Sequence, residues 1–498
     1  MSGELAPELT PLTPTLSQGE RELGDRINPI VIKEVRQGLR TKVFWICFSL
    51  MLLACLVISL IAFAVTRDAG TQTVGQEFFF SYFVCLGVVH FFVIPYSAHR
   101  SLAKEREEET WVLLTLTGLG PRRILRGKLV SYLVQAALYG SAAGPFLVFS
   151  YYLNGIDLPT ILAVLLLGAA YLVFLTAASV SAATLAEHKV MRALAHFLLL
   201  GVLLGGTSMG LGIAFALTEE GHSIVNDKDF QLAIGIGLWA MLSYGLLLFE
   251  AAAARLSLPT ESYAKGPRLA FLFQLLATAG LLFYLWLREG QEPGVAVAGQ
   301  IFFCLHLTVV GLFLTSDVDG QAPCHRDGTG PFSLLRPGAL RGFRLVMVAL
   351  LASSLFFLVL FLFSEEASWM TSDLSLQVLL AAGAYVALYL SMPLVLTRLS
   401  TSPRWRQPLV TRVVFLAVLL VGAGVPPLVG AIAFGKPEEP SLNLFNPVVG
   451  LVNLVDRRQD DFGALLLLWA VAAAAVIAAD RLLAARDIAP SPSGRGQG

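Results

Sequence analysis

The sequence predicts an all-α polytopic membrane protein. Three observations lead to this fold class: 56% of the 498 residues are hydrophobic, only 14% are charged, and the apolar residues gather in runs of about 18 or more. A run of this length is what an α-helix needs to cross a bilayer. The core of a soluble protein does not hold so many such runs, so we expect the chain to remain in the membrane.

Twelve apolar runs are candidate spans. In chain order they cover residues 43–65, 78–97, 129–153, 158–184, 193–217, 231–254, 269–287, 295–314, 345–363, 374–397, 413–434 and 462–480. The first run begins too far along the chain and is too long to be the apolar part of a cleaved signal peptide. We therefore expect about twelve transmembrane helices.

The placement of Lys and Arg predicts the orientation. A cation at the bilayer centre costs about 2.5–3.5 kcal/mol or more, and these residues lie outside the predicted spans. If the N-terminus is cytoplasmic, 29 of the 35 Lys and Arg residues fall in cytoplasmic segments. This bias predicts an even number of spans with both termini in the cytoplasm.

The predicted organisation is two six-span units between two tails. Residues 26–254 hold the first six spans and residues 255–486 the second six. The tails, 1–25 and 487–498, are rich in Pro, Ser, Gly and charge, so we expect them to be disordered.

The second unit has features of a degenerate copy of the first. Gly75-Gln76-x-Phe78-Phe79 opens the second span, and Gly299-Gln300-x-Phe302-Phe303 opens the eighth. Matches this short arise by chance when taken singly, but their shared place in the topology favours a duplication. Chance and duplication both remain open at this stage.

A short basic amphipathic helix is predicted over residues 28–42. Asn28 is a good N-cap and Pro29 a good first helical residue. Apolar residues then recur every four positions, opposite a basic face that includes Lys33. The segment is either an ordinary positively charged flank of the first span or an interfacial elbow helix on the membrane surface.

The most charged segment of the chain, residues 98–128, lies between the second and third spans. The consecutive charges of Glu105 to Glu109 must be solvated or docked, and the apolar residues 111–119 would be costly to leave in water. Pro121 can begin the next helix. We expect the basic cluster that ends at Lys128 to anchor the third span at the lipid headgroups.

This segment resembles the loop between spans 2 and 3 of type-2 ABC exporter permeases. The residues that match the family pattern at matching spacing are Glu105, Arg106, Glu107, Thr110, Leu113, Leu114, Thr117, Leu119, Pro121, Ile124, Gly127 and Lys128. Asn28, Pro29, Lys33 and Glu34 resemble the N-terminal elbow helix of the same family. The pattern departs at Glu109, Val112 and Gly118, where the family has Gly, Glu and Pro.

The resemblance implies a permease subunit of an ATP-binding cassette exporter in the cell inner (cytoplasmic) membrane. Residues 98–128 would form a coupling helix seated in a groove of a separate cytoplasmic ATP-binding subunit. That partner would bind the ATP and Mg. Whether the translocation pathway lies between the two units of this chain or between two permease copies stays open.

No enzyme motif is found in the sequence. Gly127-Lys128 looks like the end of a phosphate-binding loop, but position 122 is Arg where Gly is needed and Leu129 stands where Ser or Thr would hold magnesium. The cysteines have no paired spacing, so no metal site follows. We therefore expect neither ATPase activity nor a bound cofactor in this chain, and the charge distribution indicates no nucleic-acid partner.

His90 and His306 lie near the middle of the second and eighth predicted spans. A titratable residue at this depth is either a site for proton or substrate handling or a neutral His bonded to a neighbouring helix.

Two other functional classes also remain. An ion-coupled secondary transporter would need intramembrane carboxylates or broken helices to bind a coupling ion, and the mid-depth regions have almost no acidic residues. A non-transporting membrane scaffold for an ATP-binding partner is compatible with the sequence.

Overall fold

The computed structural model describes residues 29–69, 74–108, 120–185, 189–220, 227–258, 261–317, 331–364, 369–400, 402–455 and 462–487. All regular secondary structure in these residues is helical, and twelve helices are long and apolar enough to cross a membrane. The predicted fold class and the number of spans are confirmed. Both predicted tails fall outside these ranges, apart from Asp487 at the end of the last helix.

The chain divides into two compact units, Met1–Ser257 and Leu258–Gly498. The predicted boundary at 254/255 lies within a helix that continues to Leu256. The helices of the first unit are α1 (Pro29–Leu39), α2 (Lys42–Ala69), α3 (Gly75–Val88), α4 (Ile94–Glu107), α5 (Pro121–Tyr152), α6 (Leu158–Leu185), α7 (Lys189–Glu220) and α8 (Lys228–Leu256).

The second unit contains eight more α-helices among its described residues. They are α9 (Lys265–Arg288), α10 (Pro293–Thr315), α11 (Ala339–Leu362), α12 (Trp369–Leu399), α13 (Pro408–Phe434), α14 (Pro440–Asn443), α15 (Val449–Val455) and α16 (Phe462–Asp487). Two short 3-10 turns, Pro331–Leu335 and Pro403–Arg406, precede α11 and α13. The central helix is α12, whose residues 378–390 are nearly all buried.

The predicted basic helix is a separate element. The α1 helix ends at Leu39, and Thr41 accepts a hydrogen bond from the Phe44 amide (3.2 Å) and so caps α2. One side of α1 packs on α5, where Gln135 fills the space beside Gly38. Lys33 is exposed. The break after α1 separates it from the first span and favours the elbow interpretation.

The long second span is not a uniform α-helix. A π-helical turn at Val89–Val93 joins α3 to α4, so that one rod runs from Gly75 to Glu107. Such turns occur frequently at functional sites. The turn places Phe91 in the core of the first unit, where its ring meets that of Tyr171 edge-on at 5.2 Å.

A buried polar element precedes the last span. The sequence here, Asn446-Pro447 followed by the apolar Val448, Val449, Leu451 and Val452, predicts a cap and a short re-entrant or interfacial helix. The Asn446 side-chain oxygen accepts from the amides of Val448 (3.0 Å) and Val449 (3.1 Å), which confirms the predicted cap and the short helix after it. Its amide nitrogen donates to the Ala423 carbonyl (2.9 Å). That carbonyl is available because its helical partner would be Pro427, which has no N–H. The loop is thereby fastened to α13.

Candidate functional site

The candidate site is built around a buried lysine in the first unit. Lys128 lies two turns into α5, and its side chain is only 1% exposed. Its ammonium group donates to Glu34 (3.1 Å), Ser101 (3.1 Å) and Glu105 (2.8 Å). An ammonium group has three N–H donors, so each of them has an acceptor in this cluster.

The acceptors come from two other helices. Glu34 lies on the buried side of α1, whereas Ser101 and Glu105 are one turn apart on the same face of α4. One further turn back along α4, the Ser97 carbonyl accepts from the Tyr132 hydroxyl (3.1 Å) of α5. A polar stripe on α4 therefore faces α5 along more than two turns, and the Lys128 cluster joins α1, α4 and α5.

The opposite face of α4 is fastened to α6 and α7. His99 donates from its Nδ1 to the Ser179 carbonyl (3.1 Å), and Arg106 donates to the Ala183 carbonyl (2.9 Å). Glu107 lies 3.7 Å from Arg192 of α7. The helix that ends in the Glu-Arg-Glu sequence is therefore held on two sides.

A second ion pair connects the start of α5 to the end of α8. Arg122 donates to both carboxylate oxygens of Glu250, and the closest contact is 2.8 Å. The Arg122 side chain is half exposed, so this pair is weaker than the Lys128 cluster. Together with the contacts of α4 to α5, α6 and α7, the Arg122–Glu250 pair links five of the six spanning helices of the first unit at one end.

The position of Lys128 corrects the sequence-based expectation. We expected its charge at the lipid headgroups, but the structure places it in the protein interior. Burial of the cation is possible because two carboxylates and a hydroxyl replace its water shell. Glu105 is likewise not freely solvated, because it points toward Lys128 and its side chain is only 17% exposed.

Other predicted site residues fall into two groups. Pro121 begins α5, and Ile124 and Gly127 are buried on that helix. Lys33 is exposed on α1 and contributes nothing to the cluster. Asn28, Thr110, Leu113, Leu114, Thr117 and Leu119 lie outside the described residues, and the side chain of Pro29 does too.

Sequence reasoning found Glu34, Glu105 and Lys128 but did not predict that they meet. It also missed Ser101 and the Arg122 pair. The available signal was an acidic residue at position 34 of an otherwise basic helix, since an isolated carboxylate on the inward face needs a cation.

The two mid-span histidines have different surroundings. His90 lies in the π-helical turn and donates from Nε2 to the Ala136 carbonyl of α5 (3.0 Å). This is the contact expected for a neutral His that bridges two helices. His306 of α10 is buried, and its ring stacks on Phe271 of α9 at 5.9 Å.

A polar groove of about 920 Å³ runs beside the cluster, between α4 and the ends of α6 and α7. It is lined by Arg100, Lys104, Glu107, Arg192 and His196, among others. Charges of both signs are paired across it, as in the 3.7 Å contact of Glu107 on α4 with Arg192 on α7. Within the described part of the chain, no group of three or more His, Cys, Asp or Glu residues could hold a metal ion.

Comparison of the chain with protein-family models, with curated protein sequences and with solved structures finds no match.

Proposed function

We propose that this chain is the permease subunit of an ATP-binding cassette exporter in the cytoplasmic membrane, driven by a separate ATP-binding subunit. The structure itself establishes a more general statement, that the chain is a multi-pass helical membrane protein with twelve candidate spans. The partner would bind ATP and Mg, and this chain would take no chemical part in hydrolysis.

The observation that carries the proposal is the contact of Lys128 with Glu34 and Glu105. These residues come from the three segments that resemble type-2 exporter permeases: the elbow helix, the acidic start of the loop and its Gly-Lys end. They lie up to 94 positions apart in the chain, yet a buried ionic contact joins them. A coupling device needs such a connection, because a push on the loop must move several helices together.

The geometry suggests how a push would be transmitted. The helices α4 and α5 flank residues 109–119, and the Lys128 cluster prevents them from separating without exposing buried charge. Force on that loop would therefore move α4 and α5 as one body, with α1 following through Glu34. Alternation between inward-open and outward-open states would result from this rigid-body motion.

The docking surface differs from the one expected from sequence. Because Glu105 faces Lys128, the carboxylates that the described end of α4 presents to a partner are those of Glu107 and Glu108, whose side chains are 56% and 54% exposed. Charge reversal at Glu105 would test folding rather than docking. Tests of coupling should change Glu107 and Glu108.

The first experiment is purification of the full-length chain from its native membrane with the proteins bound to it. We expect an ATP-binding cassette protein in stoichiometric amount, with ATPase activity that rises when this chain is present. ATP-dependent transport by the complex in vesicles separates a pump from a scaffold, which would stimulate the ATPase without moving cargo. Transport by the chain alone, driven by an ion gradient, would identify a secondary transporter.

The second experiment uses the Glu107→Lys/Glu108→Lys variant of that complex. We expect its affinity for the ATP-binding subunit to fall roughly tenfold, a loss of about 1.4 kcal/mol. The matched control is Glu219→Lys/Glu220→Lys, which makes the same charge change at the exposed far end of α7. Equal affinity of the two variants would refute docking at the end of α4.

A further inference from the structure

The first unit encloses an apolar cavity of about 270 Å³ between α3, α6, α7 and α8. The cavity lies within the spanning parts of these helices, next to the π-helical turn, with Phe91 on its wall. It is separate from the Lys128 cluster and shares no residue with it.

Glycine positions explain why the cavity is there. At Gly210 a Cβ would lie 2.9–3.1 Å from the rings of Tyr171 and Phe91, so α7 comes close to α3 and α6. At Gly237 of α8 a Cβ would meet no atom within 4 Å. Because Gly237 has no side chain, a space remains on the α8 side. The close contact at Gly210 on the α7 side does not fill this space.

The lining determines what can occupy this space. It is made of Phe, Leu, Ile, Val, Met, Ala and Gly residues and a single Tyr. The hydroxyl of that residue, Tyr171, already donates to the Gly206 carbonyl (2.9 Å). Water would find almost no hydrogen-bond partner, and a smaller apolar cavity, of about 150 Å³, is known to stay dry and bind benzene. The chemistry therefore favours hydrocarbon.

The cavity is also accessible from the bilayer. Met209 and Ile213 of α7 lie on its wall and are 63% and 44% exposed, at a depth where the surrounding solvent is lipid tails. Toward the end of the unit where α7 finishes and α8 begins, exposed Lys228 lies two residues before Phe230 on the cavity wall. Asp227 and Asp229 beside it are exposed too, so a tail in the cavity would have charges of both signs near the level of its headgroup, as a zwitterionic phospholipid needs.

We infer that this cavity binds one acyl chain of a membrane phospholipid. The acyl chain of the lipid enters between α7 and α8 and ends against Phe91 and Tyr171, while the lipid headgroup stays at the membrane surface near Lys228. The inference requires only that the protein spans a bilayer, so it stands or falls independently of the proposed transport function.

Photo-crosslinking tests this inference on the full-length chain. The protein is reconstituted in phosphatidylcholine nanodiscs that contain a trace of phosphatidylcholine with a diazirine in mid-chain, irradiated and mapped by mass spectrometry. We expect peptides covering 209–217 and 230–241 to be labelled several-fold more than the exposed face of α2, which reports ordinary lipid contact. Equal labelling of these peptides and α2 would overturn the inference.

Cavity-filling variants provide the second arm. Gly237→Phe and Ala233→Phe should each reduce the labelling of 209–217 to the level of α2. Gly235→Phe is the matched control, because a Cβ there also meets nothing within 4 Å but the residue is not on the cavity wall. If the elution volume and thermal transition of both filled variants are unchanged and the labelling of 209–217 persists in both, no acyl chain occupies the cavity.

A third arm identifies the source of the chain. The same nanodiscs are labelled with a free fatty acid that carries the same diazirine. Labelling of the cavity by the fatty acid and not by the phosphatidylcholine would overturn the assignment to a phospholipid.

Discussion

The two units each bury a cation among the same three segments, but they arrange the charges differently. In the first unit Lys128, at the start of the third span, meets Glu34 from before the first span and Glu105 from the end of the second. In the second unit Arg268, near the start of the seventh span, meets Asp317 after the eighth (3.5 Å).

The remaining acceptors of Arg268 are backbone groups just before the ninth span. Its guanidinium donates to the carbonyls of Leu334 (2.7 Å), Arg336 and Gly338 (2.9 Å). Gly338 has φ of 121°, a conformation that favours glycine. The cation of the second unit thus holds a connecting loop in place.

The difference between the Lys128 and Arg268 clusters indicates where force could be transmitted between helices. Side chains of two other helices converge on Lys128, so its cluster joins rigid helices on both sides of the charged loop. The Arg268 cluster secures the loop itself, and Asp317, the described acidic residue after α10, is only 17% exposed. Similar topology with different chemistry fits a duplication in which the proposed coupling role belongs to the first unit alone.

The largest expected effect is that of Lys128→Met. Removal of the cation leaves two carboxylates facing each other in the interior, which should lower the free energy of unfolding by about 3–5 kcal/mol. Denaturant titration of the purified protein measures the change. The control Arg126→Met removes an exposed cation from the same helix and should have little effect. If adding Glu34→Gln and Glu105→Gln to Lys128→Met restores no stability, the cluster is not ionic in origin.

A smaller loss is expected for Arg268→Lys. A lysine keeps the charge but cannot reach the carbonyls with a planar fork, so one or more buried acceptors lose their donor at about 1–3 kcal/mol. Arg288→Lys, at the partly exposed far end of α9, is the control. A fully stable Arg268→Lys protein would mean that charge alone, without the planar fork, holds the loop.

Asn446→Ala should cost less again, about 1 kcal/mol, which is typical for loss of an N-cap. The expected signature is local: faster hydrogen exchange over 446–455 with unchanged exchange in the first unit. Asn154→Ala, at a connection in the first unit, provides the comparison. Uniform acceleration over both units would show that the element supports global folding and not only its own loop.

The smallest stability effects are expected at two partly exposed ion pairs, one in each unit. Arg122 pairs with Glu250, and Arg344 pairs with Asp480 (2.7 Å), each between the start of one span and the end of another. Arg122→Gln and Arg344→Gln should each change stability by about 0–1 kcal/mol. Only Arg122→Gln should reduce the ATPase activity of the complex, because only it adjoins the proposed coupling loop. Equal loss in both variants would remove the functional distinction between the units.

Much of the fold could be predicted from local patterns. The lengths of the apolar runs alone located the spans. Asn446 predicted a cap, because the preference of Asn for the N-cap position acts over the next three residues. The lengths of apolar runs and the positions of caps depend on neighbours along the chain, which the sequence displays directly.

The contacts of Lys128 could not be predicted in this way. A lysine beside three arginines before a span has the pattern of a headgroup anchor, and only the packing of α1 and α4 against α5 turns it inward. Its partners lie 23 and 94 positions away.

That this protein is a helical membrane protein can be read from local sequence, since the solvent of each segment follows from its own apolar length. Which charges are buried together and where the apolar cavity lies become visible only when the helices are packed. Both depend on how closely helices approach, and that distance is set by residues such as Gly38 and Gly210, which carry no pattern of their own.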